Sequence, residues 1–127
     1  MSVPKEKIVR YNASSGTTGI PTLSYCTEND LTEMTKNEAL HFTHAGLSKN
    51  DILQCVTGFN LYTAGWGCYH GAIELGTAII PSGPGNTKRQ IDLLKQLKAN
   101  FCFSTPGYLQ HLLETIPAED WKEIALK

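Results

Sequence analysis

Ala78-Ile79-Ile80-Pro81-Ser82-Gly83-Pro84-Gly85-Asn86-Thr87-Lys88-Arg89-Gln90-Ile91-Asp92-Leu93-Leu94-Lys95-Gln96-Leu97-Lys98-Ala99-Asn100-Phe101-Cys102-Phe103-Ser104 is the stretch that decides the fold. Ala78 to Ile80 is a short apolar run halted by Pro81, and it reads as a strand. Thr87 with Gln90 has the spacing of a capping box, so a helix is predicted from there, with Ile91, Leu94 and Leu97 along one side. Phe101 to Ser104 is a second strand. Strand, helix and strand in so few residues make a βαβ unit, which implies parallel pairing.

The same alternation extends both ways. Thr105-Pro106 has the cap-then-proline order that opens a helix, with Leu109, Leu112, Leu113 and Ile116 as its buried face. The last residues, Ala125 to Lys127, fall inside what reads as a final helix. Upstream, Ile52 to Thr57 is a strand, and a glycine-rich turn leads into a helix near Trp66 to Leu75. Thr27 and Asp30 form a capping pair for another helix, which Gly46 ends. Leu31, Met34, Phe42 and Ala45 give that helix an apolar face, interrupted by Glu38. Ile8 to Tyr11 and Leu23 to Cys26 are strands joined by the loop from Asn12 to Thr22. The expected fold class is therefore α/β, a parallel-rich sheet of βαβ units with flanking helices.

The bulk properties restrict the function. The chain has 127 residues, of which 41% are apolar, enough for one compact domain with a core. Its formal charge is −1 and its eleven Lys and Arg are scattered, which argues against nucleic acid and against a membrane surface. Four cysteines (Cys26, Cys55, Cys68 and Cys102) lie far apart with no CxxC pair, and no secretory segment precedes the first strand. Reduced, buried thiols in a cytoplasmic protein are expected. His41 and His44 share a helix face, but no third ligand stands at suitable spacing, so no metal site is expected.

The stretch Ser14-Ser15-Gly16-Thr17-Thr18-Gly19-Ile20-Pro21-Thr22 carries the chemistry. Two glycines admit positive φ and close backbone approach. Hydroxyls and free N–H groups can then wrap anionic oxygens. No Gly-Lys-Ser/Thr closes it, so it is not a Walker loop. By composition alone, an anion nest and a flexible polar connection both remain open.

This stretch resembles the phosphate loop of the adenylate-forming superfamily, the acyl-CoA synthetases and their relatives. Three further stretches resemble its phenylacetate–CoA ligase branch. These are Gly58-Phe59-Asn60-Leu61-Tyr62-Thr63-Ala64-Gly65-Trp66-Gly67 with the helix at Gly71 to Gly76, then Ile80 to Gln90, and then Ser104-Thr105-Pro106-Gly107-Tyr108. The resemblance implies ATP-dependent activation of a phenylacetate-like acid to an acyl-adenylate and then to aryl-CoA. ATP, Mg²⁺ and coenzyme A are the implied cofactors. It also implies that Ser14, Ser15, Gly16, Thr17, Thr18 and Gly19 hold the β- and γ-phosphates, and that Phe59, Tyr62, Thr63 and Gly65 lie along the aryl pocket. Core packing remains open for Phe59 and Tyr62. It further implies that Gly83, Gly85, Asn86 and Thr87 sit at the carboxyl ends of strands, where ligands collect, with Gly85 and Asn86 among the substrate-binding residues; turn chemistry accounts for the four equally well.

The chain also departs from the pattern. Ile20 stands where these enzymes often carry Lys, and Tyr69-His70 reverses the branch's His-Tyr order. The branch's later adenine- and ribose-binding motifs, and its C-terminal lid with the catalytic Lys, have no counterpart here. The resemblance thus implies one partial domain over 1–127, catalytically incomplete, part of the large N-terminal domain. Its expected partners are the acid, the nucleotide and the remainder of a ligase, with a homodimer possible. A stand-alone nucleotide- or anion-binding module, or an interaction module, is the alternative.

Overall fold

The computed structural model describes residues 3–14, 16 and 19–127. In chain order the elements are β1 (Ile8–Ala13), β2 (Leu23–Thr27), α1 (Glu28–His44), β3 (Ile52–Cys55), α2 (Thr63–Leu75), β4 (Ala78–Ile80), α3 (Thr87–Leu97), β5 (Phe101–Phe103) and α4 (Pro106–Thr115). Single 3-10 turns cover Lys5–Lys7 and Trp121–Glu123.

β3 is the middle of a three-stranded sheet of order β4-β3-β5, parallel to both neighbours. The expected parallel sheet is this one. β1 and β2 instead pair antiparallel as a separate ribbon, with Tyr11 opposite Tyr25 and Ala13 opposite Leu23. The reason is their connection. Residues 14–22 are too few to carry a crossover helix, and strands joined by a loop of that length return antiparallel.

Side chains alternate across the sheet with period two and feed two cores. Leu53 and Cys55 join Phe42, Leu47, Cys68 and Ala72 beneath α1 and α2, with Ile79, Phe101 and Phe103 against them. Ile52, Ile80 and Cys102 lie on the other face, with Ile91, Leu94, Ala99, Leu112 and Ile116 of the α3–α4 layer. All four cysteines are free; Cys26, Cys55 and Cys68 are buried and Cys102 is half-buried. Burial pushes the Cys102 thiol up to about 11.

α1 starts as expected. The Thr27 hydroxyl accepts from Asp30 N, and Asp30 Oδ2 accepts from Thr27 N at 2.8 Å. Glu38, the interruption in its apolar face, has a packing role. A Cβ at Gly71 would fall 2.6 Å from Glu38 Cβ, and one at Gly67 would fall 3.4 Å from its Oε1. The two glycines let α1 and α2 close on each other, with the Glu38 stem lying over them.

Two expected details change. The cap of α3 is Asn86, whose Oδ1 accepts from Arg89 N at 3.1 Å; Thr87 is the first helical residue. Asn86 holds φ 49°, and among non-glycine residues Asn adopts that region most readily, so it takes the cap position. The expected final helix is also absent: Ile124 has extended dihedrals, and Lys127 N–H donates to Asn100 O at 3.1 Å.

That return of the chain closes the edge of the sheet where the parallel strands begin. Asp51, 4% exposed, accepts on Oδ2 from Ser48 N and Ser48 Oγ. On Oδ1 it accepts from Asn100 Nδ2 at 2.7 Å and Lys127 Nζ at 2.6 Å. Asn100 Oδ1 in turn accepts from Ile52 N–H at 2.8 Å. The Lys127 ammonium, and after it the Ser48 hydroxyl, hold the Asp51 carboxyl well below the usual carboxylate range.

A depressed folded pKa stabilises above the unfolded value of ~3.9 and ceases to do so as pH falls below it. Asp51→Asn is therefore expected to lower the urea midpoint at pH 7, with its gap to wild type narrowing between about pH 4 and pH 2; a constant gap contradicts this. Gly71→Ala is expected to cost about 1–3 kcal/mol through the clash with Glu38. Gly107→Ala, which meets nothing within 4 Å, is expected to hold or raise stability in the same denaturation experiment.

Candidate functional site

Chain direction places a crevice beside β3. The chain leaving β3 passes to α2 on one face, whereas the chains leaving β4 and β5 pass to α3 and α4 on the other. Where connections diverge in this way, the carboxyl ends of parallel strands leave a gap. A cavity of about 510 Å³ occupies it. Val56, Thr57 and Gly58 leave β3 on one side, and Phe103, Ser104, Thr105 and Pro106 leave β5 on the other. Pro84 and Gly85 close it from the β4 side, and Tyr62, Ala64 and Tyr108 complete the lining. Its volume lies within the range of small-molecule sites, and it is mostly apolar with a few hydroxyls.

A second groove, of about 340 Å³, is lined by Ala13, Ser14, Pro21, Asn60, Leu61 and Tyr62. It lies where the β1–β2 loop meets the turn before α2, and Ala13 N–H donates to Leu61 O at 3.0 Å across that junction. Tyr62 lines both spaces and is 62% exposed.

Of the residues singled out for phosphate contact, Ser15, Thr17 and Thr18 lie outside the described residues. Ser14 and Gly19 are exposed. Ser14 N–H donates to Thr22 O at 3.0 Å, and Ser14 Oγ accepts from Thr22 N at 2.9 Å, which pinches the base of the loop. Gly16 (φ 65°) accepts from Gly19 N–H at 2.9 Å. A Cβ there would strike Pro21 Cγ at 2.8 Å, so both the φ and the space demand glycine. Ile20 is 96% exposed.

The residues singled out for the aryl pocket divide. Tyr62 and Gly85 line the larger cavity. Phe59 does not: it packs on the core beneath α2 and meets Trp66 edge to face at 5.5 Å. Thr63 begins α2, behind the lining. Gly65 is buried, and a Cβ there would sit 2.3 Å from Gly58 O, so its place is a close backbone approach. Asn86 is exposed at the α3 cap. Val56, Thr57, Ala64, Phe103 and Tyr108 line the cavity without having been singled out for it. Thr57 and Ser104 are the last residues of predicted strands, and strand ends were the available signal.

α3 and the loop before it are tied down with care. Gly83 (φ 68°), Gly85 (φ 82°) and Asn86 hold positive φ in close succession. Ser82 O accepts from Arg89 Nη2, and Ser82 Oγ donates to Cys55 O at 3.0 Å. Gln90 Nε2 donates to Gly83 O and to Gly85 O, each at 3.0 Å. Thr87 Oγ1 lies 3.2 Å from Tyr108 OH and 3.4 Å from His111 Nε2, joining α3 to α4 beside the cavity.

The larger cavity contains no Asp, Glu, His, Lys or Arg in its lining. Among the described residues no group of three His, Cys, Asp or Glu is placed to hold a metal ion, and His41 is 72% exposed in its side chain. His70 stacks on Trp66, and burial, with the Arg10 charge second, holds its pKa below the ordinary value. No helix among the described residues is long and apolar enough to cross a membrane.

No protein-family model matches the sequence. Curated proteins and solved structures do match. The chain is 36% identical over 115 residues to the phenylacetate–coenzyme A ligase of Pseudomonas putida, covering 91% of this chain and 26% of that enzyme. The Escherichia coli (strain K12) phenylacetate–coenzyme A ligase matches with the same identity and coverage. An open conformation of 2-hydroxyisobutyryl-CoA ligase, solved with 2-HIB-AMP and CoA, superposes with a TM-score of 0.85 at 26% identity. That match takes in 98% of this chain and 30% of that one. The chain thus spans about a quarter of the length of the curated relatives it matches. Within that span sequence and fold agree, and the chain belongs to the phenylacetate–CoA ligase family of adenylate-forming enzymes.

Proposed function

We propose that this chain is the segment of an AMP-forming aryl-CoA ligase that holds the pyrophosphate end of ATP and walls the acyl pocket. The observation that carries the reading is Tyr62, which borders both the apolar cavity and the groove at the base of the Ser14–Gly19 loop. An arylacetic acid seated with its ring in the larger cavity then has its carboxylate toward the loop. The named relatives are phenylacetate–coenzyme A ligases, and the solved neighbour holds an acyl-adenylate and CoA.

In the first half-reaction a carboxylate oxygen bonds to the α-phosphorus of ATP, the bond to the bridging oxygen breaks, and pyrophosphate leaves. In the second, the CoA sulfur bonds to the acyl carbon and AMP leaves. The first step brings like charges together. Aligned N–H and hydroxyl donors on the leaving pyrophosphate lower its barrier, and this is the role of the loop from Ser14 to Gly19. With Ile20 at the loop's exit, dipoles rather than a lysine charge supply that help. No general base is required, because a carboxylate is already a nucleophile. Among the described residues no group of three His, Cys, Asp or Glu is placed to hold Mg²⁺. Mg²⁺ would be held by the phosphates of the nucleotide and would neutralise part of their charge.

Because its relatives are about four times as long, the chain alone is expected to bind without turnover. Calorimetric titration of the chain with Mg-pyrophosphate tests the loop. Ser15→Ala and Thr18→Ala are each expected to weaken binding by roughly tenfold or more, the scale of a hydrogen bond to a charged group. Unchanged affinity in both variants overturns the phosphate role. Phenylacetate binding weakened by Tyr62→Ala tests the pocket. Aryl-CoA formation by the chain with ATP, phenylacetate and CoA would contradict its inactivity alone. Pyrophosphate binding with no acid binding would instead favour an anion-binding module.

A further inference from the structure

Gln54 occupies a position where the sequence pattern calls for an apolar residue. It stands mid-strand on β3, fully buried, facing the α3–α4 layer between Ile80 of β4 and Cys102 of β5. Its amide donates to Gln90 Oε1 at 2.7 Å and to Gln90 O at 3.2 Å. Gln90, equally buried, spends both of its own amide hydrogens on the carbonyls of Gly83 and Gly85. Every donor of the pair is used: those of Gln54 hold Gln90, and those of Gln90 hold the loop before α3.

The pair also carries a defect. Gln54 Oε1 is buried without a hydrogen-bond partner. Turning the amide over would set that oxygen against two Gln90 acceptors, so the orientation is fixed by Gln90. A buried orphan acceptor is a standing cost in a core that a Leu or Met would fill without one. The cost is understandable if the connection itself is needed. Its two ends reach two walls of the larger cavity: Gln54 lies two residues before Val56, and Gln90 grips Gly85 beside Pro84.

We infer that Gln54 and Gln90 are positioning residues that fix the separation between the β3 wall and the Pro84–Gly85 wall, and so set the width of acyl group the cavity admits. Neither side chain lines the cavity; they act through Gly83 and Gly85. Gly83 and Gly85 leave this loop a wide choice of backbone conformations, so without external restraint it would relax. The inference concerns the same cavity and rests on its being the acyl pocket.

Two measurements on the full chain separate this inference from that reading. The first is amide exchange at Gly83, whose N–H donates to Cys55 O at 3.2 Å. Gln90→Met keeps the volume and removes both donors, and is expected to speed that exchange by roughly tenfold, while amides of α1 keep their protection. The second is calorimetric titration with phenylacetate and with the wider 2-naphthylacetate. Gln90→Met is expected to narrow the preference for phenylacetate by roughly tenfold, within the range that pocket fit commands. Simple loss of folded protein would weaken both acids by one factor and leave the ratio untouched. Should Gln90→Met not fold, Gln54→Met leaves the bonds to Gly83 and Gly85 in place and is expected to shift the same ratio by less. Unaltered Gly83 exchange and an unaltered ratio in the folded variants overturn the inference. If wild type binds neither acid, the acyl-pocket reading fails, and with it the selectivity role. Gly83 exchange then decides only whether the tether exists.

Discussion

The parallel sheet at the centre of this chain is very short, and most of the structure answers to that constraint. β3 has four residues, and β4 and β5 have three each. Ladders of this length close only a few backbone hydrogen bonds, and parallel pairing is the slightly weaker kind. Side chains therefore finish both ends. Where the strands begin, Asp51 and Asn100 bind each other, the Ser48 turn, Ile52 N–H and Lys127. Where they end, Ser82, Arg89 and Gln90 hold the β4–α3 loop to β3. Each network has a buried polar side chain at its centre, Asp51 in one and Gln90 in the other, and draws in a partner from a distant part of the sequence, Lys127 or Gln54. Loss of one partner leaves another unsatisfied, which makes both ends cooperative with the core.

Local signals in the sequence foretold the elements well because each rests on local physics. The Thr27–Asp30 pair, Gly46 after its helix, and Thr105-Pro106 before α4 act within a single turn of chain. What escaped depends on neighbours that no local pattern records. Asn86 displaced Thr87 as a cap because the loop arrives with a left-handed residue. Glu38 broke an apolar stripe because the opposing helix presents Gly67 and Gly71. The ribbon of β1 and β2 separated from the parallel sheet because its connection is too short for a crossover helix. The end of the chain read as helical, but it is drawn out by the hydrogen bonds that Lys127 donates to Asn100 O and Asp51 Oδ1, both far earlier in the sequence.

The candidate site was legible to a smaller degree, for a related reason. Motif resemblance marks residues that recur together, and recurrence has two physical origins. Tyr62 and Gly85 border open space. Phe59 and Gly65, from the same motif, serve the turn into α2: Gly65 lets the helix touch Gly58 O, and Phe59 seals the core behind it. A residue needed to hold a wall and one that forms its surface leave the same trace in sequence. Only the direction of the side chain tells them apart. Thr57 and Tyr108 were missed by the opposite route. They are ordinary residues made relevant by the divergence of chains leaving the strands.

The chemistry of the cavity lining bears on what this segment can contribute. It holds hydroxyls and apolar surface and no charged group. For most group transfers that would be a poor inventory, because an acid or a base would be missing. The acyl activation at phosphate proposed for the whole ligase is different: the nucleophile arrives ionised and the leaving group is a stable anion. The barrier lies in bringing two anions together in line, which is a matter of orientation and of dipoles fixed in advance. An uncharged pocket suits that task, since a cation within it would hold the carboxylate back as firmly as it drew it in. Precision in the walls then matters more than reactivity in the lining. In a sheet of three- and four-residue strands, that precision has to come from the side chains that close its ends.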